Sequence, residues 1–402
     1  MIEHTDEFIE VSAVIPCLNE EKTIGLCIEK ALNAFQRLGI RGEVLIADNG
    51  STDNSVALSR SLGARVVHCA VKGYGAALIC GIDAAKGDIV VMADADDSYD
   101  WGAIGDFVGK VREGYDLVMG NRFKGGIEPG AMPILHKYLG NPVLSAAARL
   151  AFKTKVGDFH CGMRGFRKRA IQSLNLKSTG MEFATEMVAN AARHQLRITE
   201  IPTTLFVDKR DRPPHLRSFR DGWRHLRFIL TYAPDHLFLI PGLVLLGVGL
   251  VLLIALSRGP IYVMGAYFGI HFLALACLFT LVGYNVLWMG ILAKCIMAQK
   301  FSILKTPMIR FFSDHFKLEI GLGLGVFLIA VGMAVDFYIF GRWITNLAGP
   351  MKETIHPAFT ASTLIAVGVI TLFSSFLLSL QNEFKRDDQP RDNQPWDNET
   401  SY

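Results

Sequence analysis

The chain has 402 residues, of which 50% are hydrophobic and 20% charged, with a formal net charge of +3. So few charges, with a mean hydropathy of +0.29, set it apart from an ordinary soluble protein. The near balance of 41 basic and 38 acidic residues excludes the positive field of a nucleic-acid binder, and the Gly, Cys and hydrophobic contents exclude collagen-like, disulfide-scaffold and disordered chains, which leaves a membrane protein with a soluble part.

The first ten residues are acidic and polar where a secretory leader would be basic, so no signal peptide is expected and the soluble part should stay in a reducing compartment. Cys17, Cys27, Cys69, Cys80 and Cys161 lack metal-ligand or CxxC spacing and are expected as free thiols. Short β-rich runs at Val11–Ile15, Glu43–Ala47, Arg65–His68, Asp88–Met92 and Asp116–Met119 alternate with helical stretches at Lys22–Leu38, Asp53–Leu62, Gly75–Ala85 and Ala103–Arg112. This alternation predicts an α/β fold with a doubly wound, mostly parallel sheet. Ligands of such sheets bind beyond the carboxyl ends of the strands. Polar residues recur there: Pro16, Asn19 and Glu20, then Asp48 and Asn49, then Lys72 and Gly73, then Asp94, Asp96 and Asp97.

Gly73-Tyr74-Gly75 opens a helix and offers backbone N–H groups to a phosphate, but it lacks the third Gly of a dinucleotide fingerprint and the Gly-Lys-Ser/Thr ending of a P-loop. Asp94-Ala95-Asp96 sets two carboxylates just past a buried strand. A Mg²⁺ or Mn²⁺ bridging to a diphosphate would stabilise both, and a solvated acidic turn fits the same pattern. Met132–Phe152, with His136 and Lys137 leading an apolar run, reads as a membrane-surface helix. Glu182 and Glu186, one turn apart, fit either a crevice wall or a solvated helix face.

Lys209, Arg210 and Arg212, with Pro213 and Pro214, predict a loop over the site. Arg217, Arg220, Arg224 and Arg227 then form one helical stripe beside Leu216, Phe219, Trp223 and Leu226, a basic amphipathic helix of the interfacial kind or a plain juxtamembrane anchor. Four apolar runs follow at about 237–256, 264–293, 320–340 and 358–380, each long enough for a bilayer core that needs ~20 residues. The loop between the second and third carries Lys294, Lys300, Lys305, Arg310 and Lys317 among apolar residues and should lie on the membrane surface, whereas the other two loops hold only Arg258, Arg342 and Lys352. The asymmetry predicts a multi-pass protein with its soluble domain and both termini in the cytoplasm, in the inner membrane of a bacterium or the endoplasmic reticulum of a eukaryote. The expected domains are therefore 1–208 soluble, 209–236 juxtamembrane, 237–382 membrane and 383–402 a disordered tail, in which Asn398-Glu399-Thr400 is a sequon that a cytoplasmic location would leave unused.

Read together, Val14-Ile-Pro-Cys-Leu-Asn-Glu20, Ala47-Asp-Asn-Gly-Ser-Thr-Asp53, Lys72-Gly-Tyr-Gly-Ala-Ala77, Gly87-Asp88, Asp94-Ala-Asp96, Gly120-Asn-Arg-Phe123 and His160-Cys-Gly-Met-Arg-Gly-Phe166 resemble a family-2 glycosyltransferase of the GT-A fold, similar to the dolichol- and polyprenyl-phosphate mannose or glucose synthases. The resemblance spans about residues 11–235. It implies transfer of a hexose from a GDP-mannose- or UDP-glucose-type donor to a polyprenyl phosphate, with inversion. It implies donor binding by Pro16, Asn19, Glu20, Asp48, Lys72 and Asp94, and a Mg²⁺ or Mn²⁺ ion on Asp94 and Asp96. It further implies catalytic roles for Asp96, Arg122 and Arg164, with the two arginines near the acceptor phosphate or the donor diphosphate; Lys137, Arg217 and Arg220, on the two membrane-surface helices, are expected to join Arg122 and Arg164 in capturing the lipid phosphate. Two departures stand out: Ser98 replaces a frequent Gln, with Asp97 beside it as another metal-ligand candidate, and the processive Gln-x-x-Arg-Trp motif is absent, which favours a single transfer.

A phosphate monoester with its second pKa of about 6 is mostly dianionic near neutrality and needs no base to attack. A hydroxyl acceptor such as diacylglycerol or ceramide would need one, for which Asp97, Asp100 and Asp158 are candidates. A non-catalytic sugar-nucleotide-binding membrane protein is the remaining alternative. The expected partners are thus a nucleotide sugar, a polyprenyl phosphate and the membrane, with no nucleic acid; the oligomeric state is open, a homo-oligomer included.

Overall fold

A computed structural model of the chain describes residues 8–209, 218–300, 306–312, 316–345, 349 and 351–387. They form two compact units, Met1–Ala233 and Pro234–Tyr402.

The first unit runs β1 (Val11–Cys17), α1 (Ile24–Leu38), β2 (Gly42–Asp48), α2 (Ser55–Ser61), β3 (Arg65–His68), α3 (Tyr74–Ala84), β4 (Ile89–Met92), α4 (Ile104–Arg112), β5 (Leu117–Asn121), α5 (Arg122–Gly125), α6 (Asn141–Phe152), β6 (Arg164–Arg167), α7 (Lys168–Gln172), α8 (Phe183–Arg193), β7 (Ile198–Pro202) and α9 (Ser218–Thr231). The strands make one seven-stranded sheet in the order β3-β2-β1-β4-β6-β5-β7. All pairs are parallel except the two made by β6, which runs antiparallel between β4 and β5. β1 is buried along nearly its whole length, as a central strand covered on both faces requires. Helix α1 buries Ile24, Cys27, Ile28, Ala31, Ala34 and Phe35, a three-to-four spacing that gives one apolar stripe, and it stops at Gly39 in the left-handed conformation (φ +62°). α1 and α4 cover one face of the sheet; α3, α6 and α8 cover the other.

The five strands and four helices expected from the alternation are present within a few residues of their predicted ends. β6 and β7 lie outside the expected alternation. The first reads Arg-Gly-Phe-Arg and the second Ile-Thr-Glu-Ile-Pro, too short and too polar for an apolar alternation to show. The expectation of free thiols is corrected at one pair. Cys69, just past β3, and Cys80, inside α3, are joined as a disulfide with their Cα atoms 6.0 Å apart, because the turn into α3 folds the helix back on the strand. Cys17, Cys27 and Cys161 are free and buried.

Helix α3 starts in a tight place. A Cβ on Gly75 would run into the Ser178 carbonyl and lie 2.8 Å from that of Gly180. Gly75→Ala should therefore push the 178–180 segment outward and lower stability by about 1–3 kcal/mol, read as a drop in thermal midpoint against the parent protein; an unchanged midpoint would mean that this segment yields freely.

In the second unit α10 (Ile240–Leu256), α11 (Ile270–Lys300), α12 (Pro307–Arg310), α13 (Leu318–Thr345) and α14 (Ile355–Asp387) follow one another, with a hairpin of β8 (Ile261–Val263) and β9 (Ala266–Phe268) after α10. Four helical segments, Asp235–Leu256, Ile270–Ala298, Leu318–Thr345 and Ile355–Glu383, are long and apolar enough to cross a membrane. Small residues let them approach closely: a Cβ on Gly249 would meet the Thr280 backbone, and one on Gly332 the Ala361 carbonyl. The run expected to begin a helix at Met264 instead turns there, with Met264 and Gly265 both at positive φ (+49° and +82°), so the helix starts at Ile270. The loop expected on the membrane surface contains α12, with residues 301–305 and 313–315 outside the described set; the expected tail lies outside it from residue 388 onward.

Candidate active site

The order of the sheet reverses at β1, with β2 and β3 to one side and β4 to the other, so a crevice opens beyond the carboxyl ends of these strands. On the β2–β3 side Asp48 accepts from the Ser51 amide (3.0 Å), the Gly50 amide (3.3 Å) and His68 Nδ1 (2.9 Å). Burial alone would raise its carboxyl, but the hydrogen bonds from Ser51, His68 and Gly50 hold it below the usual range. Asn19 stands at positive φ (+58°) and binds Thr52 through its Oδ1, while its own amide donates to Ser51 Oγ. The buried Glu20 has its amide held by Ser55 Oγ at 2.8 Å, and Pro16 lies half-buried near the end of β1 opposite Ala47. Lys72 Nζ donates to the Asn49 carbonyl (2.6 Å) and the Gly73 amide to Asn49 Oδ1 (2.7 Å). The six residues expected at the donor thus gather on adjoining strand ends, apart from Asp94.

Asp94 belongs to a second region. It lines a cavity of about 480 Å³ together with Asp96, Arg122, His136, His160, Asp208, Asp221 and His225. Tyr74, the first residue of α3, links the two regions by donating to Asp94 at 2.8 Å. Asp96 accepts from the Ser98 hydroxyl (2.6 Å) and amide (3.1 Å), so the Ser at the position of the family's frequent Gln orients this carboxylate. Asp97 turns away from the cavity to pair with Lys30 and, at 2.7 Å, Lys209. Among the described residues no three His, Cys, Asp or Glu side chains form a closed metal cage. Two carboxylates on one wall are what Mg²⁺ or Mn²⁺ needs when substrate phosphate oxygens complete its shell, so Asp94 and Asp96 fit such an ion.

Arg122 is 7% exposed and makes a two-pronged pair with the fully buried Asp158, Nε to Oδ2 at 2.7 Å and Nη2 to Oδ1 at 2.8 Å. Asp158 is itself fixed: its amide and that of Gly157 donate to Glu200 on β7. Arg164 is placed otherwise than expected. It is fully buried, it does not line the cavity, and its guanidinium donates to the carbonyls of Phe159, Cys161 and Ala184 at 2.9–3.0 Å. Lys137 lies beside the Tyr138 ring, away from the lining to which its neighbour His136 contributes. Arg220 is exposed on α9, 3.5 Å from Asp221, while Arg210, Arg212 and Arg217 lie outside the described residues. Glu186 accepts from the amides of Lys177 and Ser178 and so holds a loop.

Three histidines converge on the cavity from separate segments. His225 Nδ1 lies 2.8 Å from Thr185 Oγ1, and its ring meets that of His160 edge-on at 4.6 Å. Burial pushes His225 down to about 4, although Glu182 and Asp221 pull it up. Burial also lowers His160 well below the usual imidazole range, with His225 and Arg122 adding to the effect. Sequence reasoning passed over His160, His225 and Glu200. The one signal in the sequence is that His160 opens the His-Cys-Gly-Met-Arg-Gly-Phe segment.

Residues 12–174 match the Glycosyl transferase family 2 domain and residues 291–382 the Glycosyltransferase family 2 C-terminal transmembrane region. The low-salt glycan biosynthesis hexosyltransferase Agl6 of Haloferax volcanii is 35% identical over 93% of this chain and 89% of its own length. The chain belongs to glycosyltransferase family 2. A dolichyl-phosphate hexose transferase of the same organism is 31% identical to this glycosyltransferase over 50% of the chain and 84% of that protein. The undecaprenyl-phosphate 4-deoxy-4-formamido-L-arabinose transferase of Serratia proteamaculans is 27% identical over 71% and 88%. The glucosyl-3-phosphoglycerate synthase of Mycobacterium tuberculosis, solved with Mn²⁺, UDP and glucosyl-3-phosphoglycerate, aligns over 56% of the chain and 78% of its own with a TM-score of 0.44 and 23% identity. The family resemblance read from the motifs is borne out, and so is the architecture, a GT-A-like sheet followed by four long apolar helices. The enzyme is an integral membrane glycosyltransferase.

Proposed function

We propose that this glycosyltransferase moves a hexose from a nucleotide-diphosphate sugar to the phosphate of a polyprenyl phosphate, with inversion, at the cavity between Asp94, Asp96 and Arg122. The observation that carries this reading is the engagement of the candidate bases. Asp97 pairs with Lys30 and Lys209, Asp158 with Arg122, and the exposed Asp100 accepts from the Gly102 amide. A dianionic phosphate needs no such base, and it suits a cavity that the guanidinium of Arg122 lines.

In the proposed step an acceptor phosphate oxygen forms a bond to the anomeric carbon while the bond from that carbon to the donor's diphosphate breaks. The nucleoside diphosphate departs with the electron pair, and no proton has to be removed. A divalent ion on Asp94 and Asp96 would neutralise charge on the departing diphosphate. Arg122, held in one orientation by Asp158, steers the acceptor phosphate into line. The donor's nucleotide lies against Pro16, Asn19, Glu20, Asp48 and Lys72.

The rim of the cavity fits a lipid. Helices α6 and α9 pack together and both contribute to the lining. Around them Ile134, Leu135, Tyr138, Leu139 and Val143 are exposed, as are Phe219 and Trp223 beside Arg220. Apolar side chains interleaved with arginines are the composition of a membrane-interface surface. By the distribution of Lys and Arg, this unit and both termini lie on the cytoplasmic side.

The test is nucleotide release by the full-length protein in detergent, with a panel of UDP- and GDP-sugars, Mg²⁺ or Mn²⁺, and dolichyl phosphate. Release is expected only with metal and lipid phosphate together, and EDTA should abolish it. Release with dolichol or diacylglycerol in place of dolichyl phosphate would establish the hydroxyl reading. Absence of release with every acceptor would leave a non-catalytic binding protein.

A further inference from the structure

The best-prepared side chain in the cavity is one to which neither the motifs nor the proposed reaction gives a role. His160 lines the cavity, and both of its ring nitrogens are shielded from solvent without a hydrogen-bond partner. A buried polar nitrogen left unpaired costs about 1–3 kcal/mol, a cost that a ligand bound in the cavity and hydrogen-bonded to the ring would offset.

The backbone around His160 is clamped at three successive residues. Its own amide donates to Asp158 Oδ1 at 3.2 Å, the carboxylate that also grips Arg122. The carbonyls on either side, of Phe159 and Cys161, both accept from Arg164 at 3.0 Å. Above this clamp the imidazole is steadied by the edge-on ring of His225, which Thr185 holds in turn. Arg164 therefore acts through His160: it fixes the loop that presents the imidazole. Asp158 sets Arg122 and His160 from a single carboxylate, so the two donors keep a constant spacing.

We infer that His160 is a phosphate-binding group of the acceptor subsite, donating a ring N–H to a phosphate-monoester oxygen beside Arg122, with His225, Asp158 and Arg164 as its positioning residues. The inference rests on the proposed phosphate acceptor and adds to it the residue that would tell a phosphate monoester from a hydroxyl. A phosphate offers separate acceptor oxygens to Arg122 and His160 and keeps a third for attack, whereas a hydroxyl has one oxygen, whose two lone pairs cannot serve both donors and still attack the anomeric carbon.

The experiment compares parent, His160→Ala and His160→Gln as full-length proteins in detergent, each checked for an unchanged thermal midpoint. Nucleotide release is followed against dolichyl phosphate at saturating donor, then against donor at saturating lipid. Loss of one hydrogen bond to a charged group should raise the KM for dolichyl phosphate roughly 10- to 100-fold in the alanine variant, with the donor KM changed by less than about twofold. The glutamine variant, which keeps an N–H donor, should recover most of the loss. An unchanged lipid KM in His160→Ala, a parallel rise in donor KM, or no recovery with glutamine in a folded protein would overturn the assignment. The parent enzyme separates the two layers: if it is active only with a hydroxyl lipid the phosphate-acceptor reading falls and takes this one with it, whereas an active parent with indifferent variants removes His160 alone. Glycerol 3-phosphate as a second acceptor distinguishes the source of the phosphate. Inactivity toward it supports a lipid headgroup; transfer to it with an equal rise in KM in the alanine variant would keep the role of His160 and overturn its restriction to a lipid.

Discussion

Asp96→Asn should lower turnover by on the order of 10³-fold while leaving the fold and membrane insertion intact. The change keeps the size of the side chain and an oxygen to accept from Ser98, whose hydroxyl and amide hold Asp96 at 2.6 and 3.1 Å. What it removes is one negative charge from the wall shared with Asp94. A divalent ion held there would supply several kcal/mol of stabilisation to a departing diphosphate, and each 1.4 kcal/mol is a factor of ten in rate. The check is nucleotide release at several Mg²⁺ or Mn²⁺ concentrations beside the thermal midpoint of the same preparation. Full activity in the variant would remove Asp96 from the metal assignment. A partial loss reversed by raising the metal concentration would support it, since weaker binding is then the cause.

The second large effect is expected at Asp158. Asp158→Ala should destabilise the protein by about 3–5 kcal/mol, because it leaves the guanidinium of Arg122 buried without its counter-charge. The damage should spread, since the same carboxylate receives the amides of Arg122 and His160. Pairing the change with Arg122→Met removes the orphaned charge and should restore much of the stability, as replacement of a whole buried ion pair often does. Activity should stay lost, because the cationic group facing the cavity has gone. Thermal and denaturant unfolding of the single and double variants, with nucleotide release alongside, test both halves. A double variant no more stable than Asp158→Ala would show that the backbone contacts of Asp158, and not its charge, hold this region.

Much of this was readable before any coordinates. The pattern of apolar runs separated by polar strand ends marks β1 to β5 and the helices between them, because a parallel sheet buried on both faces has little freedom in composition. The four apolar helices are equally plain, since a bilayer demands length and hydropathy together. β6 escaped because Arg164 occupies a fully buried strand position: the sequence shows a charge, whereas the fold supplies three carbonyls to satisfy it. The three histidines of the cavity were invisible for a different reason. His136, His160 and His225 are far apart along the chain and obey no common period, so only the fold brings them together. Of the motif segments, Asp94-Ala95-Asp96 and the Arg122 turn do line one cavity; Lys137 and Arg164 do not.

The disulfide between Cys69 and Cys80 spans the turn that carries Lys72 and Gly73. Asn49 crosses the same turn, giving its side-chain N–H groups to the carbonyls of Cys69 and Val71 and receiving the Gly73 amide and Lys72 Nζ. The turn is thus tied twice, once covalently and once by an asparagine whose bonds are indifferent to oxidation state. A cross-link of this span works mainly by restricting the unfolded chain, by about 3 kcal/mol. Opening it would therefore lower the equilibrium stability of the fold while the bonds of Asn49 still hold the Lys72–Gly73 turn, so reduction would change how readily the protein unfolds and not the form of this turn.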